Sequence, residues 1–215
     1  MTEAREPLYP SRSGAGALLG RHVYNHINPP TLVLGITPTG VEVAANVAKA
    51  MGCAFDVLVA AHVRMEEFGI VGAIAEDASA VLDQEYEPYF RDAQALGEAI
   101  DDARRAVKTE RLLFRGTRAL REVRGQNVVI VDGHVTSPWK LLAAVDAIKP
   151  GEPAYIMVAA PVGTQPVQEK VRARRLQFVC PSVLMDPAGH PLPFGDPLDP
   201  SAERLRSIVV AREAA

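Results

Sequence analysis

The sequence predicts an α/β domain on a mainly parallel sheet flanked by helices, with a small hairpin set apart as a hood. Three observations carry that expectation. Asn127–Val131 ends in four consecutive β-branched residues, Val128 to Val131, followed by Asp132. Such a run suits a strand buried on both faces, as in a parallel sheet. After a short polar loop, Leu141, Leu142, Val145 and Ile148 recur at helical spacing. Further upstream, residues 31–36, 41–51 and 55–61 read strand, helix, strand within about thirty residues, a βαβ unit with parallel strands.

Taken in order, residues 11–24 read as an entry helix with Ala15, Leu18, Leu19 and Val23, stopped by Asn28-Pro29-Pro30. Thr31–Ile36 is the first strand and Thr37-Pro38-Thr39-Gly40 its turn. The helix over 41–51 has Val43, Ala44, Val47 and Ala48 on one face, and Gly52 ends it. Residues 55–61 form the second strand, and 62–69 read as polar and irregular. Residues 72–75 and 80–82 form a hairpin around Glu76-Asp77-Ala78-Ser79. Residues 86–114 predict a long charged helix with a weak point at Gly97. After the central strand and helix, 154–160 is a strand, 161–164 a turn, 165–174 a helix and 176–180 a short strand. Six prolines between 181 and 200 predict an ordered loop. Residues 201–211 close the chain as a helix, with Ser201 as its cap. The 215 residues, 48% hydrophobic, suit one domain over 1–215.

Composition excludes several classes. The net charge of −3 gives no bulk argument for nucleic acid or an anionic membrane. The basic run from Arg104 to Arg124 is interleaved with Asp101, Asp102, Glu110 and Glu122, as in a solvated helix face. No apolar run reaches membrane-spanning length and residues 1–10 do not form a signal peptide, so a soluble cytoplasmic protein is expected. Cys53 and Cys180 stand far apart without ligand spacing and read as buried thiols. No metal motif, nucleophile elbow or Walker loop occurs.

The candidate site lies where Asn127–Val131 ends. Ligands of open α/β sheets bind at the carboxyl ends of strands, and a helix N-terminus attracts anions. Asp132 is placed to bind ribose hydroxyls or a metal-bound sugar, or else to cap the loop. His134 is an acid/base or phosphate donor, or a plain loop residue. Thr136 and Ser137 offer hydroxyls and loop amides. Ser137 before Pro138 also makes a good helix start, with Pro at the first helical position. Trp139 reads as packing, and Lys140 can reach a phosphate as a point charge. Thr37, Thr39 and Gly40 form a second, weaker anion turn, and His62 and Arg64 follow the second strand.

The stretch Asp132-Gly133-His134-Val135-Thr136-Ser137, behind its hydrophobic strand, resembles the phosphoribosyl-diphosphate (PRPP) segment of type I phosphoribosyltransferases. There two acids hold the ribose hydroxyls, and a small-residue loop with Thr cradles the 5′-phosphate. Tyr9-Pro10-Ser11-Arg12-Ser13-Gly14-Ala15-Gly16-Ala17-Leu18-Leu19 is similar to the opening of one bacterial group in that family. Residues 40–44 resemble the start of the helix after its pyrophosphate loop, and 72–77 its hairpin. Phe114-Arg115-Gly116 and Arg124-Gly125 recur at the right distance. The departures fall on functional positions. Pro38 and Thr39 stand where the pyrophosphate loop has Arg and Gly, Ala61 and His62 where it has a basic pair, and Gly133 where it has the second acid. In the loop, His134 replaces Gly, Ser137 the Thr and Pro138 the next Gly.

The resemblance implies a type I phosphoribosyltransferase-like fold that binds a phosphorylated ribose compound: PRPP, ribose 5-phosphate or a nucleotide. Its site is Asp132, Gly133, His134, Val135, Thr136, Ser137 and Lys140, with Asp132 and His134 as the catalytic candidates. Thr37, Thr39, Gly40, His62 and Arg64 stand at the diphosphate. If the chain is an enzyme, the resemblance implies PRPP-dependent transfer to a nitrogen nucleophile, weak or atypical, with Mg²⁺ only where PRPP is bound. The alternative is a non-catalytic regulatory or assembly protein on the same fold. A small phosphorylated ribose ligand is the expected partner, without nucleic acid or membrane; a homodimer stays open.

Overall fold

The computed structural model describes residues 6–36, 38–90, 93–185, 192–196 and 200–213. Its centre is a five-stranded parallel sheet. The strands are β1 (Thr31–Ile36), β2 (Ala54–Leu58), β6 (Asn127–Val131), β8 (Tyr155–Ala159) and β10 (Gln177–Val179), in the order β10-β8-β6-β1-β2. β6 is central and pairs in parallel with β1 and β8, as the β-branched run predicts. Val128 to Val131 are all 0% exposed because both faces are covered. Alternate residues serve opposite layers. Val129 and Val131 join the core with α1 (Arg12–Tyr24), α2 (Thr39–Met51), α3 (Ala93–Arg115) and α6 (Ala202–Glu213). Val128 and Ile130 join the core with α4 (Trp139–Ile148) and α5 (Gln165–Ala173).

Caps agree with the sequence where they are local. Ser11 accepts from the Gly14 amide at the start of α1, and Ser201 accepts from Arg204 at the start of α6. Gly52 takes the left-handed conformation that ends α2, with φ 64°. Gly97 does not interrupt α3. Its flanking helix formers outweigh a helix cost of about 1 kcal/mol. The helix starts later than predicted, because residues 84–89 form a separate 3-10 turn containing Pro88.

The largest departure is the hood. The strand expected over 55–61 splits: β2 ends at Leu58 and β3 (Ala60–Met65) leaves the sheet edge. Glu76 causes the break, since its carboxylate accepts the Val59 amide at 2.8 Å and its own amide donates to the Val59 carbonyl at 3.2 Å. The stretch from His62 that reads as irregular is therefore strand to Met65. It pairs antiparallel with β4 (Gly69–Ala75), which pairs with β5 (Val81–Leu82), the predicted hairpin. The turn expected at 161–164 contains β9 (Val162–Thr164). With β7 (His134–Val135) and β11 (Ser182–Leu184) it forms a small parallel sheet beyond the ends of β6, β8 and β10. Much of the proline-rich 181–200 stretch lies outside the described residues. Its described parts include β11, a strand where a loop is expected, and Phe194, which bridges Tyr9, whose hydroxyl donates to the Pro161 carbonyl. Among the described residues no helix is long and apolar enough to cross a membrane.

Candidate ligand-binding site

At the carboxyl end of β6 the chain delivers Asp132, 2% exposed, between the N-termini of α2 and α4. Its amide donates to Ala159, fixing the residue against the end of β8. Its carboxylate is heavily engaged. Oδ1 accepts from Thr39 Oγ1 at 2.6 Å and from the Gly133 amide at 2.7 Å. Oδ2 faces Lys140 Nζ at 3.1 Å, and the two side chains are 2% and 13% exposed. The acid expected to hold ribose hydroxyls is thus held by Thr39 and Lys140. Lys140 meets this carboxylate from within the first turn of α4, rather than standing only as a cation for phosphate.

Two glycines let the α2 turn close on this strand end. A Cβ on Gly40 would lie 2.4 Å from the Val131 carbonyl oxygen, and one on Gly133 2.6 Å from the Thr39 carbonyl oxygen. Real Cβ atoms do not approach so closely, so both positions need the missing side chain. Gly133, at the second-acid position, is sealed by the backbone of Thr39. Pro38 occupies the N-cap position of α2 and caps nothing with its side chain. Thr37 lies outside the described residues.

The phosphate-loop candidates divide. Val135 is buried and pairs with Gly163 through β7 and β9. Thr136 is exposed. Ser137 is not the helix cap that its position suggests. Pro138 takes the N-cap position, no side chain caps α4, and Ser137 Oγ is buried without a hydrogen-bond partner. Ser137 lies between β7, which pairs with β9, and the start of α4. His134 Nε2 and His62 Nε2 are likewise buried and unpartnered. Trp139 is buried as expected, with the Lys170 ammonium 5.6 Å from its ring centroid.

Electrostatics link the hood to this loop. Burial, then the Lys140 and Arg64 charges, push His62 down from its usual 6.5 to about 4, with Asp132 opposing. Burial also lowers His134, again against Asp132. Both imidazoles are therefore neutral at pH 7, so neither Ala61 nor His62 brings a charge to the basic-pair positions of the resemblance, and exposed Arg64 lies two residues further along β3. Sequence reasoning named Thr39 and Lys140 as anion contacts. It did not foresee that they meet on Asp132, a contact that spans 93 residues for Thr39 and carries no local signal.

A pH dependence follows with a definite sign. The unfolded chain protonates His62 near 6.5, whereas the folded chain resists until about 4. Stability from this residue is complete above pH 6.5 and lost as pH falls through that window. At about 1.4 kcal/mol per pH unit, reduced for partial solvent screening, the loss is about 2 kcal/mol. Urea midpoints between pH 8 and 4 should fall less steeply for His62→Gln. Parallel curves for the two proteins would refute the assignment.

A phosphoribosyl transferase domain model matches residues 14–182, spanning both turns and the central strand. The TT1426 protein of Thermus thermophilus superposes with a TM-score of 0.78 at 25% identity, over 94% of this chain and 98% of that one. A hypothetical protein from Neisseria gonorrhoeae, solved with bound ppGpp, gives 0.55 at 12% identity, over 98% and 99% of the two chains. The purine phosphoribosyltransferase of Pyrococcus horikoshii gives 0.51 at 12%, over 88% and 91%. The last two likenesses are of fold alone. Because the family match covers most of the chain and includes the Asp132 loop, this protein belongs to the phosphoribosyl transferase domain family.

Proposed function

We propose that this protein binds a phosphorylated ribose compound through the 133–139 loop, and that ordinary transfer from PRPP to a base is very weak. One observation carries the phosphate half of the reading. The N-terminus of α4 has no side-chain cap, and beside it Ser137 Oγ is buried without a partner. Helix amides and an unspent hydroxyl suit a phosphate monoester. His134 Nε2 is a second unspent polar atom on the same loop.

The diphosphate half is poorly served. Pro38 brings no charge, His62 is neutral, and Thr39 is engaged with Asp132. Each charged hydrogen bond missing from the transition state costs roughly 1.5–3 kcal/mol, so two slow transfer on the order of 10² to 10⁴-fold. The engaged Asp132 favours a second reading, a sensor or assembly protein that keeps the ligand site without the chemistry. ppGpp, held by the Neisseria gonorrhoeae protein, is itself a phosphorylated ribose compound and belongs in the ligand panel.

Calorimetry tests this. Ribose 5-phosphate or a nucleoside monophosphate should bind about as well as PRPP, and Thr136→Val with Ser137→Ala should abolish both. A PRPP affinity more than about tenfold better would mean that other charges hold the diphosphate. Robust pyrophosphate release with a common purine or pyrimidine base would overturn the loss of transfer.

A further inference from the structure

We infer that Lys140 takes the place of a divalent cation beside Asp132, so that the site takes its phosphorylated ribose ligand without Mg²⁺. This rests on the ligand reading above and specifies its cofactor requirement. The resemblance places Mg²⁺ on the diphosphate of PRPP and gives the acids to the ribose hydroxyls. The residues present do not fit that ion. Magnesium needs near-octahedral oxygen ligands and is usually held through one or two carboxylates. Here the one carboxylate, Asp132, already accepts from Thr39 Oγ1 and the Gly133 amide on Oδ1 and faces Lys140 Nζ on Oδ2. A second carboxylate at Gly133 is blocked by the Thr39 carbonyl oxygen, 2.6 Å from any Cβ there. Among the described residues no group of three or more His, Cys, Asp or Glu side chains is arranged to hold a metal.

Lys140 supplies instead what the cation would bring. It is a positive charge beside Asp132, carried on the first turn of α4 and 13% exposed. Its field is felt at His62, which burial, Lys140 and Arg64 keep neutral. An entering divalent ion would have to displace the ammonium from Oδ2 and then share the loop with it. An ammonium can donate directly to ribose or phosphate oxygens and needs no coordination geometry.

The test uses the full chain, with ribose 5-phosphate and Mn²⁺ as probes. Calorimetry in EDTA and in Mg²⁺ should give wild-type affinities for ribose 5-phosphate within about twofold of each other. Electron paramagnetic resonance should show no Mn²⁺ uptake by the wild type at concentrations where Lys140→Met, with Asp132 uncovered, takes up one ion. For Lys140→Met, ribose 5-phosphate binding should weaken about tenfold or more in EDTA and recover in part with Mg²⁺. If the variant does not fold, the wild-type arms decide. Tenfold tighter wild-type binding in Mg²⁺, or Mn²⁺ uptake by the wild type that Asp132→Asn removes, overturns the inference. So does an absence of Mn²⁺ uptake in a folded Lys140→Met, because Lys140 would then be excluding nothing. If ribose 5-phosphate binds in neither buffer, the ligand reading fails, while the Mn²⁺ measurements still judge Lys140.

Discussion

Replacing Asp132 by Asn should cost the fold about 3 kcal/mol or more, the largest loss expected from any single change at the site. Lys140 then loses the carboxylate 3.1 Å from its ammonium, at a position only 13% exposed. Removing one partner of a buried pair typically costs roughly 3–5 kcal/mol, because the remaining charge is poorly solvated. Asn keeps an oxygen for Thr39 Oγ1 and the Gly133 amide, so the loss sits near the lower end of that range. Lys140→Met should be destabilising for the mirror-image reason. The double variant Asp132→Asn with Lys140→Met should recover most of the loss, since it removes both charges. Urea unfolding of the four proteins at pH 7 gives the coupling directly. A coupling below about 0.5 kcal/mol would mean that the pair is a surface contact of little consequence.

That pair also marks the boundary of what the sequence makes legible. β6 is readable because its run of four β-branched residues suits a strand covered on both faces, as in a parallel sheet. The α2 and α6 boundaries are readable because Gly52 and Ser201 act through their own neighbours. β3 is hidden because in Ala60–Met65 only Ala60 and Val63 are buried, and its pairing is set by the distant β4. The Val59 break depends on Glu76, 17 residues away, which no periodicity reveals.

The site divides in the same way. The residue types and spacing of the loop show where a ligand belongs and which charges have changed. They do not show what replaced those charges. Ser137 reads as a cap because Ser is a favoured N-cap residue, but Pro138 takes the N-cap position and the Ser137 hydroxyl is buried without a partner. Gly133 reads as a lost acid. The structure shows why the loss is locked: α2 fills the space that the acid side chain needs.

Restoring that acid should therefore damage the protein instead of restoring transfer. Gly133→Asp places a Cβ 2.6 Å from the Thr39 carbonyl oxygen and within 3.2 Å of its Cβ. Backbone on that side cannot rotate away as a side-chain tip can. Overpacking of this kind costs roughly 1–3 kcal/mol. The new carboxylate also lands beside buried Asp132, and two like charges in one site oppose each other's ionisation. Together a loss of at least about 2 kcal/mol is expected, or roughly 4–8 °C in the thermal midpoint for a chain of this size. Pyrophosphate release from PRPP should stay at background. Gly133→Ala separates the two causes, since it keeps the clash and omits the charge. Gly97→Ala is the control for adding a methyl group: with nothing within 4 Å inside α3, it should gain about 0.5–1 kcal/mol. If Gly133→Asp folds with the wild-type midpoint and releases pyrophosphate from PRPP, then α2 yields to the side chain. The close approach of Thr39 would then not be what keeps the second acid out.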